Sequence, residues 1–137
     1  MRVRRAEPRD FDDIVDLARR LELDHAGMDE DIFWVAEDSG EVIGIVALRE
    51  HPDCMELGSL GVDPAYRERG VGRALVEALM AEAPGDIHLG TVIPEYFQAL
   101  GFILAPAVPA SFVEKRKTPW CEGCRHDLCA VMVREKP

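Results

Sequence analysis

The residues whose types and spacing point most directly to chemistry lie between Leu60 and Leu75. They read Leu-Gly-Val-Asp-Pro-Ala-Tyr-Arg-Glu-Arg-Gly-Val-Gly-Arg-Ala-Leu. An apolar strand end runs into Asp63-Pro64, then into a loop carrying Arg67, Arg69 and Arg73 around Gly70 and Gly72, and a strongly periodic helix follows. That order gathers backbone N–H groups, a helix N-terminus and positive side chains at the end of a strand, a seat for phosphate or pyrophosphate. A Gly-x-Gly alone reads better as a solvated turn before a helix. A second concentration of chemistry is Cys121, Cys124 and Cys129 with His126. These residues could ligate zinc, form a redox pair or stay as reduced thiols. Four ligands within nine residues crowd one ion, so the expectation is plain thiols and no metal.

The elements that must hold the loop follow from periodicity. Val3 to Arg5 reads as a strand. Pro8 suits the first turn of a helix, with Phe11, Ile14, Val15, Ala18 and Leu21 as its apolar stripe. Leu23 to Glu30 is polar and reads as a loop or short helix, a candidate substrate lid. Ile32 to Glu37 and Val42 to Leu48 form a hairpin across Asp38-Ser-Gly-Glu41, and Met55 to Val62 is a further strand. Gly58 and Gly61 within it predict a bulge or a close approach by a ligand. After the helix on Val71, Ala74, Leu75, Ala78 and Leu79 come a strand at 86–92 and a short helix from Pro94 to Leu100 capped by Gly101. A strand from Phe102, a basic helical turn at 111–117 and a last strand at 128–133 complete the chain. This order predicts one α+β domain, an antiparallel meander followed by a crossover that must pair in parallel.

The sequence has 137 residues, 47% of them apolar and 31% charged, with a net charge of −10. Nucleic acid and anionic membranes bind through clustered Lys and Arg, so neither is expected as the main partner. The N-terminal residues lack the apolar core of a signal peptide, which predicts a cytoplasmic protein.

Val62-Asp-Pro-Ala-Tyr-Arg-Glu-Arg-Gly-Val-Gly72 resembles the acyl-CoA signature of the GNAT acetyltransferase superfamily, with Arg67, Gly70 and Gly72 at the motif positions. The family's short aromatic helix ending in Gly-Phe has its counterpart in Tyr96-Phe-Gln-Ala-Leu-Gly-Phe102. The resemblance implies a mixed, mostly antiparallel sheet of six or seven strands with a splayed parallel pair and three or four flanking helices. It makes acetyl-CoA the co-substrate. Arg67, Glu68, Arg69, Gly70, Val71, Gly72 and Arg73 would hold the pyrophosphate, with Gly70 and Gly72 supplying special backbone angles. Leu60, Gly61 and Val62 would bond the pantetheine arm between the splayed strands, and backbone at 58–60 would polarise the thioester carbonyl.

On the same resemblance Glu56 is the candidate base that deprotonates the acceptor ammonium, with His88 as the alternative. Glu56 also reads as an outward-facing strand carboxylate, and His88 as a structural histidine. The family's usual Tyr falls at Phe97, which cannot protonate a leaving thiolate. Tyr96 is then the candidate general acid, or the thiolate leaves unaided, and Tyr96 also reads as a packing aromatic. The tail from Trp120 to Met132 resembles short N-acetylglutamate synthase-like enzymes, which would make glutamate the acceptor. Arg49, Lys115, Arg116 or Lys117 would then hold its carboxylates. The alternatives are a polyamine, another small amine or a protein N-terminus as acceptor, or a sensor that binds acetyl-CoA without turnover. Dimerisation through the C-terminal strands is common in the family, so a homodimer is implied.

Overall fold

Strands β2 (Ile32–Asp38) and β3 (Glu41–Glu50) are written as near-continuous apolar runs because both of their faces are covered. In the computed structural model, which describes residues 1–25, 27–115 and 129–137, Val35, Ala36, Ile45 and Val46 are inaccessible to solvent. Two compact units share β4 (Met55–Val62): Met1–Arg49 with Leu57–Glu82, and Glu50–Glu56 with Ala83–Pro137.

In the first unit β1 (Arg2–Arg5) pairs antiparallel with β2, and β2 with β3, so that Phe33 lies opposite Ala47 and Val35 opposite Ile45. Those four pack with Ile14, Leu17 and Ala18 of α1 (Phe11–Arg20) and with Met28. The alternate residues face α2 (Val71–Glu82): a Cβ on Gly44 would lie 3.0 Å from the side chains of both Val71 and Leu75. Buried Trp34 donates its indole N–H to Glu82 at the end of that helix (2.7 Å). Burying the stripes of both helices, at roughly 25 cal/mol per Å² of apolar surface, is the main stabilising term. Arg4 ties the corner between β1 and α1 together. It donates two hydrogen bonds to Asp10 (2.7 and 2.9 Å) and reaches Glu37 (3.2 Å).

In the second unit β5 (Ile87–Thr91) pairs antiparallel with β7 (Ala130–Arg134), and β7 with the short edge strand β6 (Ile103–Leu104). α3 (Pro94–Gln98) ends where Gly101, at φ +91°, turns the chain and Phe102 N–H bonds Phe97 O (3.0 Å). The rings of Phe97 and Phe102 then meet edge to face. α4 (Ala110–Lys115) follows.

The strand order is β1-β2-β3-β4-β5-β7-β6, and β4–β5 is its parallel pair. Among the described residues there are seven mostly antiparallel strands and four α-helices, within the six or seven strands and three or four helices expected of this α+β architecture. The helical turn expected at 111–117 begins one residue earlier. Residues 116 and 117, and Cys121, Cys124 and His126, lie outside the described residues. Among the described residues no helix is long and apolar enough to cross a membrane, and no three His, Cys, Asp or Glu side chains converge as for a metal.

Candidate active site

The loop at 63–70 is built by local bonds before anything binds to it. Asp63 donates its N–H to Ile43 O (2.8 Å) and accepts from Ala65 N–H (2.9 Å), nucleating the 3-10 turn Pro64–Tyr66. Arg67 folds back so that its Nε–H reaches Val62 O (3.2 Å), and the Arg69 guanidinium lies over the Tyr66 ring at 5.4 Å. Glu68 (φ +64°) and Gly70 (φ +79°) both take left-handed backbone, and the alternation about Arg69 curls the amides into a concave nest. Helix α2 starts at Val71, and its first bond back to the loop is Ala74 N–H to Gly70 O (3.0 Å). The amides of residues 71–73 are therefore those that a helical first turn cannot bond internally. Gly70 has the special angle expected of it. Gly72 does not: it sits buried in ordinary helical backbone.

Strand β4 carries the expected irregularity, and its centre is Ser59, at φ +47°. A Cβ placed on Gly58 would meet nothing within 4 Å, so that position is open. At Gly61 the side-chain direction, unlike that at Gly58, is filled by protein. A Cβ there would fall 2.5 Å from Leu23 and 2.8 Å from Leu21, the residues that follow α1. Protein side chains crowd this glycine. Leu60 and Val62 are half-buried on either side of it.

Glu56 and His88 form the second rung of the β4–β5 ladder, after Met55 and Ile87. Directly opposed residues in a ladder share a face, so His88 lies on the same face of the sheet as Glu56. Glu56 is 4% exposed, which removes the reading of it as an outward-facing carboxylate. Its Oε1 lies 2.8 Å from His51 Nε2. His88 is partly buried, and its Nδ1 has no partner among the described residues. Desolvation lowers its pKa and keeps the ring neutral. Phe112 of α4 stands against both imidazoles, with centroids 6.2 Å from each.

Tyr96 lies on α3, 44% exposed, with its ring edge-on to Phe97 at 5.1 Å. The more buried of that pair is Phe97, so packing falls to Phe97 and Tyr96 faces outward. Arg49 is engaged by protein: it bonds both oxygens of Asp31 (2.9 and 2.8 Å) and contacts His25. This cluster ties the end of β3 to the segment expected to act as a lid. Nothing in the sequence marked His51 or Phe112. His51 sits at the start of the 51–54 turn, whose N–H to Cys54 O bond (2.9 Å) brings it back toward Glu56, and the hairpin geometry was its one available signal.

The chemical content of these pieces is a nest for an anion on one strand–loop–helix unit and a buried carboxylate bonded to one imidazole, with a second histidine on the opposing rung. Among known proteins, residues 2–103 match the model of the acetyltransferase (GNAT) family. The N-acetylaspartate synthetase of Xenopus tropicalis is 37% identical over 81 residues, covering 51% of this chain and 30% of that one. The chain thus spans under a third of that relative's length. N-acetylglutamate synthase from Neisseria gonorrhoeae, solved with coenzyme A and N-acetyl-glutamate, superposes with a TM-score of 0.80 at 22% identity, over 99% of this chain and 35% of that one. A Mycobacterium tuberculosis protein solved with CoA superposes at 0.73 with 25% identity, over 98% of this chain and 99% of that one. The chain belongs to the GNAT acetyltransferase family.

Proposed function

We propose that this chain is an N-acetyltransferase that moves the acetyl group of acetyl-CoA to the α-amino group of an amino acid, glutamate or a close relative. The observation that carries the proposal is Glu56: a buried carboxylate held by His51 and set opposite a neutral His88 on the parallel rung. A buried general base must be fixed in place and near the proton it takes. The nest at Glu68–Gly70 and the first turn of α2 supply backbone donors and the positive end of a helix for the CoA pyrophosphate, with Arg67, Arg69 and Arg73 adding charge. The edge of β4 beyond Glu56, opened by the Ser59 bulge, offers backbone groups to the pantetheine arm.

In the reaction Glu56, or His88 in its place, takes one proton from the acceptor ammonium. The freed nitrogen attacks the thioester carbon, a C–N bond forms, and the C–S bond breaks with its electron pair on sulfur. The second nitrogen proton ends on that sulfur, by way of Tyr96 or water. An amino-acid acceptor is supported by the relatives named as N-acetylaspartate and N-acetylglutamate synthases. Both act on dicarboxylic amino acids by their names. Arg49 is a weaker candidate to hold the acceptor's carboxylates, because Asp31 already occupies its fork.

Incubation with acetyl-CoA and single amines, with acetylated product followed by mass spectrometry, tests this. Product from glutamate or aspartate, at a rate lowered about a hundredfold in Glu56→Gln, is the expected result. Product from polyamines alone would reject the amino-acid acceptor. Tight CoA binding with no product from any amine would make the protein a sensor. A homodimer and a cytoplasmic location remain part of the same proposal, and sedimentation and cell fractionation test them.

A further inference from the structure

Acetyl transfer to an ammonium group sheds two nitrogen protons. One ends on the sulfur of CoA and the other must reach water in every turnover. If Glu56 is the base, as proposed above, that proton arrives on a carboxylic acid whose side chain is only 6% accessible. An exit is required. Two histidines stand near Glu56, one hydrogen-bonded to it and one on the opposing rung of the ladder. The Nδ1 of His88 is buried and has no partner among the described residues, so that nitrogen offers no onward path for a proton. His51 touches Glu56 through Nε2 at 2.8 Å, and its side chain is 19% accessible, three times the exposure of its partner.

The pair is also held firmly. The turn carrying His51 is closed by its own N–H to Cys54 O (2.9 Å). Asp53 on that turn accepts from the Ser111 backbone (3.2 Å) and from its hydroxyl. The next residue of α4, Phe112, packs tilted against the His51 ring. The other titratable groups around the imidazole are poor competitors for the proton. Cys54 is held as a thiol, its pKa pushed up to about 11 by burial, while Asp53 is kept ionised by its bonds to Ser111.

We propose that His51 both positions Glu56 and drains it: Nε2–H donates to the resting carboxylate, and in the tautomer that carries its hydrogen on Nδ1 the Nε2 lone pair accepts the proton Glu56 has taken from the acceptor, after which Nδ1–H releases a proton to water. Only O–H and N–H bonds change. Glu56 returns to carboxylate, His51 passes through imidazolium to neutral imidazole, and exchange with water restores its starting tautomer. This rests on the acetyl-transfer reading and adds to it a residue that the motif does not include.

The test compares wild type, His51→Gln and His51→Ala with acetyl-CoA and the best acceptor. Glutamine still donates a hydrogen bond to Glu56 but cannot carry a proton, so it separates positioning from drainage. The expected result is kcat lowered about ten- to a hundredfold in both variants, with KM for acetyl-CoA within about twofold of wild type. Added imidazole should raise kcat of His51→Ala several-fold. Unchanged CoA binding and melting temperature identify variants that remain folded. An active wild type with His51→Gln equally active would overturn the drainage while leaving acetyl transfer intact. A wild type inactive with every amine would overturn both.

Discussion

Gly61 offers a direct measurement of what faces strand β4. Its backbone lies outside the left-handed region, so alanine can adopt it, and the substitution differs by one methyl group. That methyl would sit 2.5 Å from Leu23 Cδ1 and 2.8 Å from Leu21 Cδ1, well inside van der Waals contact. Both atoms are the ends of flexible side chains, so relief comes from displaced rotamers and a shifted 21–23 segment, and overpacking of this kind costs about 1–3 kcal/mol. Losing glycine's freedom in the unfolded chain returns roughly 0.4–1 kcal/mol. Gly61→Ala should therefore destabilise by about 0.5–2.5 kcal/mol, read from urea melts. Gly58→Ala is the internal comparison, because its methyl would meet nothing within 4 Å and its stability should move by less than about 0.5 kcal/mol. If Gly61→Ala were as stable as wild type while its CoA affinity collapsed, the packing account would fail. Gly61 would then face the cofactor, as its sequence position suggests.

Gly70→Ala forces a side chain into backbone at φ +79°, a strain of about 1–2 kcal/mol, so CoA affinity should fall about tenfold by calorimetry with little change in the sheet. Asp10, held by Arg4, has its pKa lowered from 3.8 to about 2, worth roughly 2 kcal/mol of stability at neutral pH. A depressed carboxylate stabilises the fold above its unfolded pKa and stops doing so as it protonates. Wild type should thus lose that increment as pH falls from about 4 to 2, and Asp10→Asn, measured by denaturant melts across that range, should lack this part of the pH dependence. Arg49→Leu would take both guanidinium hydrogen bonds from the nearly buried carboxylate of Asp31, leaving it His25 Nε2 at 3.2 Å. Because that partner remains, the cost should stay below the roughly 3–5 kcal/mol of a buried pair broken outright, and the loss should register first as faster hydrogen exchange at 27–31.

Residue spacing made the scaffold legible, because both periodicities were plain. The β2–β3 hairpin, the stripe of α2 and the Gly-Phe end of α3 fall within a residue or two of where the spacing puts them. The loop proposed for the CoA pyrophosphate was legible for a different reason: Gly70 stands at φ +79°, where glycine is favoured, and arginines crowd an otherwise acidic chain there. The surroundings of Glu56 were not. Its burial depends on pairing with β5, more than thirty residues on, and on Phe112 from α4, and neither leaves a local pattern. Arg49 misled for a related reason. A cation near a candidate lid looks like a substrate anchor until its partner Asp31 is placed beside it. Gly61 looked like a ligand contact because sequence shows that a side chain is missing without showing what fills the space.

The two-rung ladder between β4 and β5 has a consequence for the order in which this protein matures. Met55–Ile87 and Glu56–His88 join segments separated by 32 residues of sequence, with all of α2 between them. Closing so long a loop is entropically costly and is rewarded by only two rungs, whereas the β2–β3 hairpin closes across two residues and gains seven. The hairpin and its helices should gain protection first in pulsed hydrogen exchange, and the amides of Glu56 and His88 late. A nascent chain would then be largely folded before its proposed base, Glu56, is in place, so competence for catalysis should trail the formation of structure.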